Sequence, residues 1–110
     1  MKKKYIVKSH QDFNAIIKTG KKVNGKYFVI YYKENNINHS RFGISVGKKL
    51  GNAVFRNNHK RKIRMIIDQN DNIKDKKSDF IIILKKNGSN LKSVELQKDF
   101  NELVKKITEK

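Results

Sequence analysis

The sequence predicts a single small α+β domain in which helices and strands follow one another in the order α, β, β, α, β, α. A chain of 110 residues provides one core of ordinary size. Apolar residues recur with a helical period in three segments, and strongly apolar or alternating runs stand between them. Because no repeat or proline-rich linker interrupts this order, we assign residues 1–110 to one domain, with residues 1–8 as a loosely ordered basic start.

The first helix is predicted over residues 11–19. Ser9 is a good N-cap, Asp12 follows it as in a capping box, and Gly20 is expected to end the helix in a left-handed conformation. Before it, the apolar residues 5–7 could either dock on the domain or belong to a disordered terminus. Three apolar residues share one face of the helix, which the sheet is expected to cover: Phe13, Ile16 and Ile17.

Residues 23–33 are rich in β-branched and aromatic side chains and predict a strand with two apolar faces. Tyr31 in this strand is either a core residue or part of a surface that stacks bases. The residue pattern by itself favours the core, because aromatic stripes usually pack. Residues 34–40 then predict a polar hairpin loop. Residues 41–47 alternate apolar side chains with small ones, which predicts a second strand whose small face lets a backbone or a ligand approach closely.

Residues 41–64 carry eight lysines or arginines and no acidic residue, and all four arginines of the chain lie here. Asn52 is a good N-cap for a helix that starts at Ala53, and Lys48 and Lys49 precede that positive helix end. Val54, Phe55, Ile63 and Ile66 are predicted on its core side, although His59 and Lys62 fall there too. The other side predicts an RNA-binding face: Arg56, Asn57, Lys60, Arg61 and Arg64.

The last third of the chain predicts a loop, a strand and a helix. Residues 68–77 are polar, whereas residues 78–84 form an apolar run that is typical of a strand buried on both faces, central in the sheet. Ser93 is a candidate cap for the final helix. The core stripe of that helix is regular: Leu96, Phe100, Leu103, Val104 and Ile107.

The formal net charge of +17 favours a polyanionic partner. Nucleic acid is the first candidate, and an acidic membrane surface is disfavoured because no long apolar span is present. The chain has no cysteine, which excludes disulfides and thiolate metal sites. Residues 1–8 lack the apolar core of a signal peptide, so the cytoplasm is the expected location.

No catalytic or metal-binding constellation is visible in the sequence. The three histidines, His10, His39 and His59, lack the spacing of metal ligands. The aspartates of residues 68–79 are interleaved with lysines and read as solvated charges, so a self-sufficient nuclease is disfavoured. The residues therefore predict an RNA-binding protein without catalytic side chains and without a small-molecule substrate.

The basic segment resembles the signature of the bacterial ribonuclease P protein component, S-V-x-K-K-x-G-x-A-V-x-R-N-x-x-K-R-x-x-R. The resemblance extends over essentially the whole chain, since length, charge and the order of the other elements also agree. The matching residues are Ser45, Val46, Lys48, Lys49, Gly51, Ala53, Val54, Arg56, Asn57, Lys60, Arg61 and Arg64.

This resemblance implies a mixed four-stranded sheet with a left-handed β-α-β crossover, written α-β-β-(β)-α-β-α, an exception to the usual handedness. It implies a subunit that binds ribonuclease P RNA through Lys48, Lys49 and the basic helix. Precursor tRNA is the implied substrate, with its 5′ leader in a cleft lined by Phe13, Ile17 and Tyr31. The implied cofactor is Mg²⁺, held mainly by the catalytic RNA.

Four residues depart from the family pattern. Asn58 stands where an arginine is common, His59 and Lys62 replace apolar residues, and Ile17 replaces an aromatic ring.

A structural RNA-binding protein of ribosomal type, without turnover, is the alternative of a different class. Both readings predict affinity that falls steeply with salt, but only the ribonuclease P subunit predicts a preference for tRNA that carries a 5′ extension.

Overall fold

The computed structural model describes residues 3–7 and 9–108 of the chain, which form one mixed four-stranded sheet with helices on both of its faces. The strands are β1 (Lys21–Asn24), β2 (Phe28–Glu34), β3 (Arg41–Ser45) and β4 (Ser78–Leu84). The helices are α1 (His10–Thr19), α2 (Ala53–Asp68), α3 (Asp71–Lys74) and α4 (Ser93–Thr108). Short 3₁₀ turns lie at Lys3–Tyr5, Lys48–Leu50 and Lys86–Gly88.

The sheet order is β1-β2-β4-β3, so β4 lies in the interior as its apolar sequence predicts. It pairs antiparallel with β2 and parallel with β3. The parallel pair requires a crossover, and α2 and α3 supply it between β3 and β4. This confirms the mixed four-stranded sheet that the family resemblance implies, while the handedness of the crossover stays a prediction.

The prediction of one strand over residues 23–33 is wrong, because the chain turns back at Gly25. The turn is held from a distant helix: the carboxylate of Asp99 on α4 accepts hydrogen bonds from the backbone N–H groups of Lys26 (2.9 Å) and Tyr27 (2.8 Å). A Cβ atom at Gly25 would lie 2.7 Å from a methyl carbon of Leu103. The segment therefore forms the antiparallel hairpin of β1 and β2, which adds the fourth strand.

Residues 34–40 do not form the hairpin loop predicted for them, because β2 and β3 are not neighbours in the sheet. The connection passes over the start of β4 instead. The side-chain amide of Asn35 donates to the carbonyl oxygen of His39 (3.2 Å) and to the carboxylate of Asp79 (2.9 Å). These bonds tie the loop to the strand that separates its two ends.

The sheet has one fully covered face and one partly covered face. The main core lies against α2 and α4 and contains the predicted stripe of α4. Its largest fully buried residues include Phe28, Phe80 and Phe100, and burying a side chain of this size stabilises the fold by about 2–3 kcal/mol. The other face is packed against α1 by a smaller cluster that contains Val7, Ile16 and Ile81.

Two of the three predicted N-caps are confirmed, and α1 ends at Thr19 as predicted, although Gly20 has a different conformation from the one expected. The Ser9 hydroxyl accepts from the backbone of α1, and the Asn52 side chain accepts from the N–H of Phe55 at 2.9 Å, so both N-caps are confirmed. Ser93 is the first residue of α4, not the residue before it. Gly20 is not left-handed, since its φ is −81°. A Cβ atom there would lie 2.5 Å from the carbonyl oxygen of Ile16, so close approach of the backbone explains this glycine.

Residues 68–77 are more ordered than the predicted polar loop. Asp68 is the last residue of α2, and α3 follows almost at once. Ile73 on α3 is fully buried in the main core. One apolar side chain among charged neighbours therefore holds this segment against the domain.

The segment before α1 docks on β3 where the structure describes it. Ile6 forms a parallel bridge with Phe42, and the N–H of Val7 donates to the Phe42 carbonyl oxygen at 2.9 Å. Val7 is buried, so the docked arrangement holds for residues 5–7. Met1, Lys2 and Lys8 lie outside the described residues, and the domain limits stay a prediction.

Candidate nucleic-acid interface

The exposed side of α2 carries five polar residues that the sequence assigns to RNA binding. Asn57, Arg61 and Arg64 are exposed, whereas Arg56 and Lys60 are half-buried. The opposite side of the helix inserts Ile63 and Ile66 into the main core. In the part of the chain that the structure describes, no carboxylate lies within ion-pair distance of these cations. The face therefore keeps its full positive charge for an external partner.

Arg56 is held in an arrangement that leaves one of its donors unused. Its Nε atom is shielded from solvent and has no acceptor among the described residues. A buried donor without a partner costs about 1–3 kcal/mol. Rotation of this side chain toward an external acceptor, such as a phosphate oxygen, would remove that cost.

The core side of α2 differs from its prediction at Val54, whereas His59 lies on that side as its spacing indicates. Val54 is 69% exposed and does not reach the core, because it lies in the first turn, ahead of the point where the helix contacts the sheet. His59 is only 6% exposed, and its ring lies within 2.7 Å of the carbonyl oxygen of Ser89 and 3.0 Å of that of Phe55. A neutral imidazole donates to only one of these carbonyls. His59 thus links α2 to the turn that precedes α4.

Lys48 and Lys49 are both exposed on the 3₁₀ turn that precedes α2. They follow directly from β3, so the sheet and the N-terminal end of α2 fix their position. This helix end is the positive end of the helix dipole. The two lysines extend the cationic surface of α2 around its N-terminus, as predicted.

Phe13, Ile17 and Tyr31 come together in one cluster on the partly covered face of the sheet. All three are half-buried. Phe13 lies over Gly43, where a Cβ atom would be 2.7 Å from the ring. The small face predicted for β3 therefore admits an aromatic ring. The three residues lie together where α1 meets the sheet, and we call this region the α1 cleft.

Sequence reasoning missed three further residues of the α1 cleft: Lys22, Val29 and Ile83. Lys22 pairs with Tyr31 across the hairpin, and its Nζ lies 5.7 Å from the Tyr31 ring centroid, a cation–π distance. Val29 pairs with Ile83, and both are half-buried on the same face of the sheet. Strand alternation alone places Val29 on the same face as Tyr31, whereas Lys22 and Ile83 are identified only by the pairing of the strands.

Arg41, the one arginine that lies outside α2, is paired within the protein. Its guanidinium donates two hydrogen bonds to the carboxylate of Asp79, at 2.9 and 2.6 Å, and lies 3.9 Å from Asp12 on α1. Burial of Asp79 opposes ionisation, but the bonds from Arg41 and Asn35 and the charges of Arg41 and His39 outweigh it and lower the pKa of Asp79. The same hydrogen bond raises the pKa of Arg41.

Across the described ranges 3–7 and 9–108, no group of three or more acidic or histidine side chains is placed to hold a metal ion. Within the same ranges no helix combines the length and the hydropathy required to cross a membrane. A cationic helix packed on one face of the sheet and a half-buried group of aromatic rings on the other face define a class: small basic nucleic-acid-binding proteins.

Comparison with known proteins narrows that class. A family model described as Ribonuclease P matches residues 1–108. The ribonuclease P protein component of Mycoplasma mycoides is 44% identical over 108 residues, covering 97% of this chain and 99% of the relative. That of Streptococcus pyogenes is 46% identical over 105 residues, covering 96% of this chain and 87% of the relative. The chain belongs to the ribonuclease P protein family.

Solved structures agree with this assignment. A mutant of the Staphylococcus aureus RNase P protein, described as defective in mRNA degradation activity, superposes with a TM-score of 0.83 at 37% identity and covers 97% of this chain and 90% of its own. The Thermotoga maritima protein gives 0.83 at 31% identity, covering 91% of this chain and 94% of its own. This chain is therefore a protein subunit of ribonuclease P, with ribonuclease P RNA as its partner, and the ribosomal-type alternative is not favoured.

Proposed function

We propose that this subunit helps ribonuclease P remove the 5′ leader from precursor tRNA, and that the RNA subunit carries out the hydrolysis with Mg²⁺ that it mainly holds itself. The two buried acidic side chains of the described residues both have structural tasks, which supports this division of labour. Asp79 binds Arg41, and Asp99 holds the β1–β2 turn. The protein then contributes binding and orientation, which lower the barrier by placing the substrate at the catalytic RNA.

The face of α2, together with Lys48 and Lys49, is proposed to bind the catalytic RNA. The observation that carries the proposal is that its cations have no carboxylate partner among the described residues, although the helix is anchored in the core on its other side. A rigid helix with a fixed row of donors suits a structured RNA, and the planar guanidinium of Arg61 or Arg64 suits two oxygens of one phosphate.

The α1 cleft is proposed to bind the single-stranded leader. Tyr31 and Phe13 offer ring surfaces to bases, and Lys22 adds a positive charge beside Tyr31. Because every base has a face that can stack, such a cleft accepts leaders of different sequence. Ile17 contributes apolar contact at this position without a ring to stack.

The cytoplasm is the proposed location, as the compartment in which a bacterium processes its tRNA, and neither a membrane nor a small-molecule substrate is part of the proposed function. The high positive charge is directed instead at two RNAs.

The decisive experiment is cleavage of a precursor tRNA at low Mg²⁺ by a cognate ribonuclease P RNA, with and without this protein, beside the protein alone. We expect stimulation only in the mixture. Cleavage by the protein alone would contradict the assignment of the chemistry to the RNA. Equal binding of precursor and mature tRNA by the holoenzyme would contradict a role in leader recognition.

A further inference from the structure

A cavity of about 710 Å³ lies beside β3, apart from the α2 face and the α1 cleft. We call it the β3-edge cavity. Its walls come from the docked N-terminal segment, the loop before β3, the C-terminal end of α2, and the segment of α3. Tyr5, His39, Phe42, Lys74, Asp75 and Lys77 are among its lining residues. Its volume falls within the range of about 300–1,000 Å³ that is usual for small-ligand sites.

Aromatic rings supply the apolar part of this cavity. The rings of Tyr5 and His39 meet edge to face, with centroids 5.0 Å apart. Phe42 is 3% exposed and stacks on Phe80 behind it, with centroids 5.5 Å apart, so this wall is rigid. Such a lining suits a flat aromatic ligand.

The charged groups around the cavity cancel one another. Asp68 and Asp75 line it together with Lys74 and Lys77, and Asp68 forms an ion pair of 3.6 Å with Lys74. A lining with no net charge is unusual in a protein of net charge +17. The cavity is therefore suited to an uncharged polar ring, not to a phosphate group.

The carboxylate of Asp75 narrows the choice of aromatic ligand to one RNA base. Its carboxylate is exposed and has no ion-pair partner among the described residues. A carboxylate accepts two parallel hydrogen bonds from adjacent N–H donors. Among the four RNA bases only guanine presents such a pair on its Watson–Crick edge, at N1 and N2.

We propose that the β3-edge cavity binds a single unpaired guanine base, with the base against the aromatic wall and its donor edge at Asp75. The proposal rests on the proposed function, because an RNA partner is what would present the base. A free guanine nucleotide has the same chemistry. The cavity would thus give this subunit a third contact with RNA, one that reads base identity.

The test is a titration of the full chain, followed by backbone NMR, with guanosine 5′-monophosphate, adenosine 5′-monophosphate and ribose 5-phosphate. We expect the guanine nucleotide to shift the signals of residues around the cavity and to bind about tenfold more tightly than the adenine nucleotide. Ribose 5-phosphate should leave those signals in place. Shifts of equal size with ribose 5-phosphate, or none with the guanine nucleotide, would overturn the proposal.

Asp75→Asn should remove the preference for guanine, and Asp71→Asn is the matched control, since Asp71 is an exposed aspartate of the same segment that does not line the cavity. Tyr5→Ala should weaken binding of both nucleotides, provided its spectrum remains that of a folded protein. Loss of preference in Asp71→Asn to the same degree as in Asp75→Asn would overturn the assignment.

A short single-stranded RNA with one central guanosine, compared with the same RNA carrying adenosine, separates the two sources of the base. Tighter binding of the guanosine RNA than of the adenosine RNA, with the same cavity signals shifted, supports an RNA ligand. Equal binding of the two RNAs, beside a preference for guanine among the mononucleotides, supports a free nucleotide in the same cavity. Precursor tRNA cleavage with the same protein keeps the two proposals distinct. Stimulated cleavage without guanine binding would contradict only the proposal for the β3-edge cavity. Guanine binding without stimulated cleavage would contradict only the proposed function.

Discussion

At the residue scale, the ion pair of Arg41 and Asp79 shows that one positive charge of this protein stabilises the fold itself. The pair joins the first residue of β3 to β4, and Asn35 and Asp12 add contacts from the loop and from α1. Four parts of the chain therefore meet at this pair, with Asn35 bound to Asp79 and Asp12 close to Arg41. Because the Asp79 carboxylate is 10% exposed, removal of its charge leaves the guanidinium without its main partner.

We expect Asp79→Asn to lower the free energy of unfolding by about 2 kcal/mol at pH 7. The folded protein lowers the pKa of Asp79, so the stabilisation is present above the unfolded pKa of about 3.9 and is lost as the pH falls through the folded pKa. Urea unfolding of both proteins between neutral pH and about pH 3 measures this. The gap between the two proteins should close toward acid; a gap that is constant with pH would show that the ion pair is not its cause.

Lys77 is the only residue other than glycine with a positive φ, 57°, among those the structure describes. A lysine in the left-handed conformation costs about 1–2 kcal/mol, and glycine avoids this cost because it has no Cβ atom. Only part of the gain remains, since glycine also loses more chain entropy on folding. We expect Lys77→Gly to raise the free energy of unfolding by up to about 1 kcal/mol. Urea unfolding checks this, with Lys76→Gly as the control that should not stabilise. A less stable Lys77→Gly protein would contradict the explanation.

Residue roles that depend on a distant partner were the ones that sequence reasoning could not supply. Arg41 is one of four arginines in a basic segment, and nothing near it in the chain reveals Asp79, 38 positions away. His59 looked like a break in an apolar stripe, and its partner Ser89 is 30 positions away. Caps at Ser9 and Asn52 were predictable because their partners are two or three residues away.

At the scale of elements, α2 is expected to act as a row of phosphate contacts. Arg61→Ala should weaken binding to ribonuclease P RNA and reduce the slope of log affinity against log salt by about one. Filter binding over a salt series measures both quantities. Lys98→Ala, which removes an exposed charge from α4, is the matched control and should change neither by a comparable amount. An unchanged slope in Arg61→Ala would refute its contact with phosphate.

The α1 cleft gives a different expectation, since stacking has little salt dependence. Tyr31→Ala should reduce the preference of the holoenzyme for precursor over mature tRNA by about 1–3 kcal/mol if one base stacks on this ring. Tyr31→Phe keeps the ring and should keep most of the preference. Competition between precursor and mature tRNA for the holoenzyme measures this preference. Intact discrimination in a folded Tyr31→Ala protein would return Tyr31 to a purely structural role.

Elements with a strong internal pattern were predicted well. The apolar run of β4 and the stripe of α4 identify both elements without any knowledge of the fold. The β1–β2 hairpin was not predicted, since the turn depends on Asp99, which is more than 70 positions away. The residues of the α1 cleft named from the family resemblance do come together, but Lys22 and Ile83 required the register of the sheet.

At the scale of the whole molecule, net charge makes stability and RNA affinity respond to salt in opposite directions. The molecule measures 35 × 28 × 25 Å, whereas the Debye length is about 30 Å at 0.01 M salt and about 8 Å at 0.15 M. At low salt its positive charges therefore repel one another across the whole domain. This repulsion is relieved either by screening or by a polyanion.

We expect the midpoint of urea unfolding of the free protein to rise as sodium chloride is added over this range, while affinity for RNA falls steeply. Circular dichroism follows the first quantity and filter binding the second. A series with sucrose in place of salt controls for effects that do not depend on charge. A midpoint that falls with added sodium chloride would show that attractive surface ion pairs outweigh the repulsion.

The overall topology was only partly accessible from the sequence. The interior position of β4 and the order of the elements other than β1 and α3 followed from apolar patterns. The placement of β4 between β2 and β3 did not, because local patterns carry no information about which strands are neighbours. The connection over residues 35–40 consequently looked like a hairpin loop.

The interior position of β4 also has a kinetic consequence. β2 and β3 lack their shared neighbour until this strand docks, and contacts such as that of Asn35 with Asp79 span 44 positions. Closing such long loops costs entropy before any contact compensates for it, so arrival of β4 is the step expected to limit the folding rate. Until then its FIIIL segment remains open to association with other chains. Lysines near both of its ends, Lys76, Lys77, Lys85 and Lys86, keep such chains apart by repulsion.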